Sequence, residues 1–224
     1  MARYEIEIKS LLGDEENAVV LKTRMHELDP ACVCVGKNKQ LNHYFKDGNI
    51  KLLLEKAKDF FSKSVQEKFQ EIMEKGSECS VRTRQKDDEV LLVVKASVDA
   101  STSANSVSRM EFEDPISVSL AVLDASLLDV GFVYQAKWSR EREEYAYKGA
   151  TVCLDRNAGY GYLAEFEKMT DDESVLPAVR GELVALMAEL GAEELPQDRL
   201  ERMFAHYNEH WREYYGTDKT FIIE

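Results

Sequence analysis

Carboxylates and cations recur in this sequence at positions two apart, and each such pair is of one sign. Glu5 and Glu7 stand in YEIEIK, alternating with Tyr4, Ile6 and Ile8. That period of two belongs to a strand with two unlike faces. Carboxylates so spaced lie ~6.6 Å apart and repel by about 2.5 kcal/mol at an effective dielectric of 20. The pattern returns at Arg82 and Arg84, at Glu111 and Glu113 behind Arg109, at Arg140 and Arg142, and at Glu165 and Glu167. The opposite parity holds Val81, Met110, Phe112 and Phe166. A flat sheet with one wet face scatters its charges. Repeated like-charged pairs point to a sheet curled on itself, with charged faces inward and apolar faces outward.

Sorted by chemistry, Glu5, Glu7, Glu111, Glu113, Asp155, Glu165 and Glu167 form an oxygen-rich set with almost no His or Cys nearby. Hard oxygen ligands suit Mg²⁺ or Mn²⁺ better than zinc. Lys9, Arg82, Arg84, Lys95, Arg109, Arg140 and Arg142 are mostly arginines, whose planar fork fits phosphate oxygens bidentately. A divalent cation among clustered arginines describes a polyphosphate site. No Walker sequence and no G-x-G-x-x-G is present, and NAGYGY (157–162) reads as a turn rather than a phosphate cradle.

The elements that must carry these residues follow from periodicity and punctuation. After the first strand, Gly13 breaks the pattern and Asp14 caps a helix whose apolar face is Leu21, Met25 and Leu28. QLNHYF (40–45) reads as a second strand. Helical period then runs over 50–75 through Leu53, Leu54, Ala57, Phe61, Val65, Phe69 and Ile72, ending at Gly76. Short strands follow at 80–84, 91–95, 108–113, 139–147, 150–155 and 162–167, with a KDDE hairpin turn at 86–89. SVDASTSANS (97–106) reads as a mobile polar loop. A helix ending at Gly131 interrupts the strands. Two more helices close the chain, one capped by Gly191 and one starting at Pro196. The aromatic row of the last helix reads as packing. The fold class is α+β: about eight strands in a mostly antiparallel sheet curled toward a β-barrel, with helices packed outside and C-terminal helices over about 173–215. One domain is expected over residues 1–224, with the strands of the barrel over about 1–170.

Composition sets limits on partners. The formal net charge of −13 over 224 residues repels nucleic acid over most of the surface. No apolar run approaches the ~20 residues of a membrane span. The four cysteines show no CxxC spacing, which reads as reduced thiols in a cytoplasmic protein. A small-molecule triphosphate or polyphosphate is the expected partner, with no nucleic acid and no membrane, and a homodimer is left open.

The ordered set of motifs resembles the CYTH superfamily, the triphosphate tunnel metalloenzymes. E-x-E-x-K stands at Glu5, Glu7 and Lys9. R-x-R follows at Arg82 and Arg84, then Lys95, then R-x-E-x-E at Arg109, Glu111 and Glu113. Arg140 and Arg142 come next, and LDRNAGYGYLAEFE supplies Asp155, Glu165 and Glu167. The resemblance spans residues 4 to about 167 and implies an eight-stranded tunnel holding a triphosphate along its axis. It implies phosphate contacts from Lys9, Arg82, Arg84, Lys95, Arg109, Arg140 and Arg142. It implies a Mg²⁺ or Mn²⁺ held by Glu5, Glu7, Glu165 and Glu167, with Glu113 and Asp155 close behind. Lys9, Glu5 and Glu7 are the expected catalytic group, Lys9 positioning the attacking water. The helix over 50–75 is an addition to the compact members and reads as exterior packing rather than a lid or dimer surface.

The reading is a metal-dependent triphosphatase acting on tripolyphosphate or on a nucleoside or thiamine triphosphate. The alternative is a class IV adenylyl cyclase, converting ATP to cyclic AMP and pyrophosphate with the same phosphate grip. A non-catalytic polyphosphate-binding module and an acidic scaffold with solvated strands rank below both.

Overall fold

The protein's structure, a computed structural model, describes residues 4–57, 63, 66–67, 69–70, 77–97 and 109–224. Eight strands are present: β1 (Tyr4–Gly13), β2 (Val33–Lys46), β3 (Ser77–Lys86), β4 (Glu89–Ser97), β5 (Arg109–Pro115), β6 (Val133–Tyr147), β7 (Ala150–Asn157) and β8 (Gly161–Thr170). They form one sheet in the order β1-β8-β7-β6-β2-β3-β4-β5. The registered pairs are antiparallel. No hydrogen-bonded pairing joins β1 to β5 among the described residues, so hydrogen bonds do not close the sheet. The helices with bounds among the described residues are α1 (Glu15–Leu28), α2 (Ile50–Ala57), α3 (Leu120–Leu128), α4 (Leu176–Leu190) and α5 (Gln197–Tyr214). Beyond Ala57, most of the helix expected over 50–75 lies outside the described residues, as does the loop expected over 97–106 apart from Ser97, which ends β4. None of the described helices is long and apolar enough to cross a membrane.

Chain contacts divide the molecule into two units. Among the described residues, the first comprises 4–38 and 139–224. Its core joins Ile6 and Ile8 of β1, Val152 and Leu154 of β7, and Ala164 and Phe166 of β8 to Leu21 and Met25 of α1 and Leu183, Met187 and Leu190 of α4. These strand residues have the parity opposite to the charged pairs. The helices therefore take the apolar face and leave the charged face to itself. Asp14 caps α1 by accepting from the Asn17 amide at 2.9 Å, relieving one orphan donor of the helix start. The β7–β8 turn needs Gly161: its φ is +73°, and an added Cβ would lie 2.3 Å from the Gly13 carbonyl oxygen. The same turn is pinned by the C-terminal segment, since Gly159 donates to Lys219 and accepts from Phe221, each at 2.8 Å.

The second unit comprises the described residues between 39 and 97 and residues 109–138. Its core packs Phe45, Val81, Leu92 and Val94 of the strands against Leu53 of α2 and Leu123 and Leu127 of α3. One carboxylate lies within this apolar layer. Asp124 of α3 accepts from the Thr83 hydroxyl at 2.6 Å and the Tyr134 hydroxyl at 2.7 Å, and its Oδ2 lies 2.7 Å from His43 Nδ1. Burial pushes its pKa up, but these hydrogen bonds bring it below the ordinary aspartate value. The network joins α3 to β2, β3 and β6.

Candidate active site

In the first unit the register sets the charged residues side by side. Glu7 of β1 is directly opposite Glu167 of β8, and Lys9 is opposite Glu165. On the far side of β8, Glu165 is opposite Cys153 of β7, and two residues along β7 Asp155 is opposite Arg142 of β6. Alternation along each strand then keeps Glu5, Glu7, Lys9, Arg140, Arg142, Asp155, Glu165 and Glu167 on one face.

That face is covered. Asp155 is 0% exposed and Glu165 8%, and buried charges persist only when paired. Asp155 takes a bidentate grip from Arg142, Nε at 2.7 Å and Nη2 at 2.6 Å, and a third bond from Arg140 Nη1 at 2.8 Å. Arg142 also donates to Glu165. Lys9 Nζ pairs with Glu7 and lies 3.5 Å from Glu165 Oε1. Burial raises the Glu165 pKa, yet Arg142, Lys9 and Arg140 hold it well below the usual carboxylate range. Glu167 goes the other way. Burial and the Glu165 and Glu5 carboxylates push it up to about 8, against only partial relief from Arg142 and Lys9.

Glu5, Glu7 and Glu167 are the set that converges, with one oxygen from each within 4.8 Å of the others. Like charges directly opposite in neighbouring strands are destabilising, and here a third carboxylate joins them. The donor set is all oxygen. Adjacent oxygens on an octahedral Mg²⁺ are about 3 Å apart, so side-chain rotations that draw the three oxygens together by up to about 2 Å would close the set around a hard divalent cation. Of the other metal ligands expected from the sequence, Asp155 accepts from Arg140 and Arg142, and Glu165 Oε2 accepts from Arg142.

In the second unit, Arg82 and Arg84 of β3 are directly opposite Tyr44 and Asn42 of β2. On the other side of β3, β4 places Lys95 opposite Ser80, and β5 places Glu111 opposite Lys95 and Glu113 opposite Val93. Arg109 enters β5 opposite Ser97. Arg84 is 8% exposed and sits among Gln40 and Asn42, each 3% exposed, so this polar face is covered as well. Its Nε donates to Asn42 Oδ1 and its Nη1 to Glu113 Oε1, both at 2.8 Å. Arg82 Nη1 donates to the Tyr44 hydroxyl at 2.7 Å. Glu113, expected as a metal ligand, thus partners an arginine.

The motifs did not reveal Gln40, Asn42 and Tyr44, although their shared parity in QLNHYF was a visible signal. Trp138 gave less warning, because KWSRER reads as an ordinary polar strand. Its ring meets Tyr44 edge to face, with centroids 6.5 Å apart.

Several solved structures share the fold. A protein provisionally assigned as an adenylate cyclase from Vibrio parahaemolyticus superposes with a TM-score of 0.59 at 17% identity, covering 92% of this chain and 99% of its own. PH1819 from Pyrococcus horikoshii gives 0.60 at 20% identity, covering 87% and 94%. HpAC1 from Hippeastrum, a provisional adenylyl cyclase with a dominant triphosphatase activity, gives 0.54 at 18% identity, covering 90% and 96%. No curated protein matches the chain in sequence. At these identities the superpositions establish the fold, which is the tunnel fold of these neighbours. The CYTH domain model matches residues 70–199, more than half of the chain and most of the ordered motif series, and with that match this protein belongs to the CYTH family.

Proposed function

We propose that this protein is a metal-dependent triphosphatase, cleaving a phosphoanhydride of tripolyphosphate or of a nucleoside or thiamine triphosphate. One observation carries the reading: within a single unit, three convergent carboxylates lie beside two arginines held by buried acids. Glu5, Glu7 and Glu167 would hold one Mg²⁺ or Mn²⁺. Such an ion, when bound, neutralises phosphate charge and polarises the phosphoryl oxygens.

The chain's own residues would supply orientation and fixed charge. Arg140 and Arg142 grip phosphate oxygens in this reading, and Asp155 sets both guanidiniums beforehand. Arg82, Arg84, Lys95 and Arg109 take the same phosphate-binding role, with Glu113 and Asn42 orienting Arg84. Groups already aimed need no reorganisation as charge shifts toward the leaving phosphate. Lys9, beside Glu7 and Glu165, is proposed to orient the attacking water in line with the bond that breaks. The dominant triphosphatase activity of HpAC1 favours hydrolysis over cyclisation.

The test is to incubate the protein with tripolyphosphate, ATP or thiamine triphosphate, each with Mg²⁺ or Mn²⁺, and to identify every product. Orthophosphate is expected, from tripolyphosphate included. Cyclic AMP and pyrophosphate from ATP, with no orthophosphate from tripolyphosphate, would replace the hydrolase with the cyclase.

A further inference from the structure

Two aromatic side chains stand where the phosphate reading has no use for them. Tyr44 lies directly opposite Arg82, in the strand row that also holds Gln40 and Asn42, on the polar face of the second unit. The apolar core of that unit takes Phe45, the next residue along, on the other face. Both Tyr44 and Trp138 are half-buried. Their rings meet at 66°, so together they form a corner with two differently oriented π-surfaces. Arg82 lies at this corner, 5.4 Å from the Tyr44 ring centroid and bonded to its hydroxyl.

Tyr44 has an arginine opposite it and keeps its hydroxyl engaged by that arginine. The arrangement couples a phosphate-type cation to a flat apolar surface within one side chain's reach. A ligand that fits it carries negative charge joined to a planar aromatic ring. Inorganic tripolyphosphate has the first part and lacks the second.

We propose that Tyr44 and Trp138 are specificity-determining residues that stack a planar aromatic base attached to the phosphate chain, so that an organic triphosphate is preferred to tripolyphosphate. The proposal rests on the triphosphatase reading for the phosphate end of the ligand. A base stacked on an aromatic side chain contributes about tenfold in affinity, and no change in the chemistry of phosphoryl transfer is required. The discrimination is therefore expected in KM rather than kcat.

Trp138 and Trp211 are the two tryptophans of the chain, so Trp211→Phe leaves Trp138 as the sole indole reporter. In that protein, with Mg²⁺ present, saturating ATP should quench Trp138 emission, and saturating tripolyphosphate should not. In parallel, Trp138→Leu should lower the ratio of kcat/KM for ATP to that for tripolyphosphate about tenfold, through KM for ATP. Equal quenching by the two ligands, or an unchanged ratio in Trp138→Leu, overturns the proposal. Tripolyphosphate hydrolysis without any ATP-specific quenching would refute the stacking and leave the triphosphatase reading intact. ATP-specific quenching with no phosphate released from any triphosphate would do the reverse.

Discussion

Glu7 on β1 and Glu167 on β8 face each other directly across an antiparallel pair, two carboxyl groups on one face with Glu5 beside them. Without a cation, this arrangement costs the folded state free energy. Replacing Glu167 by Gln keeps the shape and removes the cost of holding protonated, in the fold, a carboxyl that the unfolded chain ionises at neutral pH. In metal-free protein, Glu167→Gln is expected to raise the melting temperature by about 2–4 °C, as ~1 kcal/mol would in a chain of this size. Mg²⁺ should raise the melting point of the wild type and leave the variant unmoved, and the variant should lose hydrolysis. Normal metal-saturated turnover in Glu167→Gln would refute the ligand assignment.

Glu165→Gln should behave oppositely. Glu165 lies 8% exposed against Arg142, so neutralising it strands part of a buried cation. Calorimetry should show a lower melting temperature in metal-free protein. An unchanged or higher value would mean that Arg142 does not depend on this carboxylate.

Acidity should act through Glu167, whose pKa is raised in the fold to about 8 by burial, Glu165 and Glu5. A carboxyl raised on folding stabilises the native state while protonated. Metal-free protein should therefore lose stability as pH climbs from the ordinary carboxylate range toward about 8. A cation must displace that proton, so Mg²⁺ affinity should rise about tenfold per pH unit below that value and level off above it. Titration calorimetry in buffers of different ionisation enthalpy should detect the released proton. Affinity independent of pH over that window would exclude the coupling.

Arg84 uses two different edges of its guanidinium, one toward Asn42 and one toward Glu113. Lysine keeps the charge and cannot reproduce that geometry. Arg84→Lys should lower kcat/KM by roughly ten- to a hundredfold, as expected for loss of one charge-assisted contact of ~1.5–3 kcal/mol. Wild-type kinetics with unchanged salt dependence would place Arg84 outside the phosphate grip.

Asp124 should matter for stability alone. Asp124→Ala deprives Thr83, Tyr134 and His43 of a common buried partner. The expected loss is on the order of 3 kcal/mol by denaturant melts, with substrate KM unchanged in protein that remains folded. A loss under ~0.5 kcal/mol would mean that water replaces the carboxylate there.

The alternation of charge along single strands was enough to anticipate which residues share a face, because the period of a strand is fixed by its pleat. Glu5 with Glu7, Arg82 with Arg84, and Glu165 with Glu167 all follow it. What one strand cannot reveal is its neighbour. That Asp155 is opposite Arg142, and Glu7 opposite Glu167, depends on register between distant segments. The division of the acids into a converging trio and a set of arginine partners was therefore hidden. Strand ends were read short for a related reason. Residues 33–39 and 133–138 lack a clean apolar alternation, yet the strands extend through them. The Asp124 network escaped notice because its members come from β2, β3, α3 and β6, and none carries a motif.

The trio is also completed by opposite ends of the strand series. Glu5 and Glu7 lie on the first strand, and Glu167 lies on the last. On a ribosome adding roughly 5–20 residues per second, the first two carboxylates wait on the order of ten seconds for the third. Throughout that interval β1 lacks its hydrogen-bonding neighbour, and its apolar side lacks Phe166. If the trio holds the cation as proposed, its capture would report that nearly the whole sheet has been made, and a nascent chain stalled before β8 would be an aggregation-prone intermediate that Mg²⁺ cannot rescue.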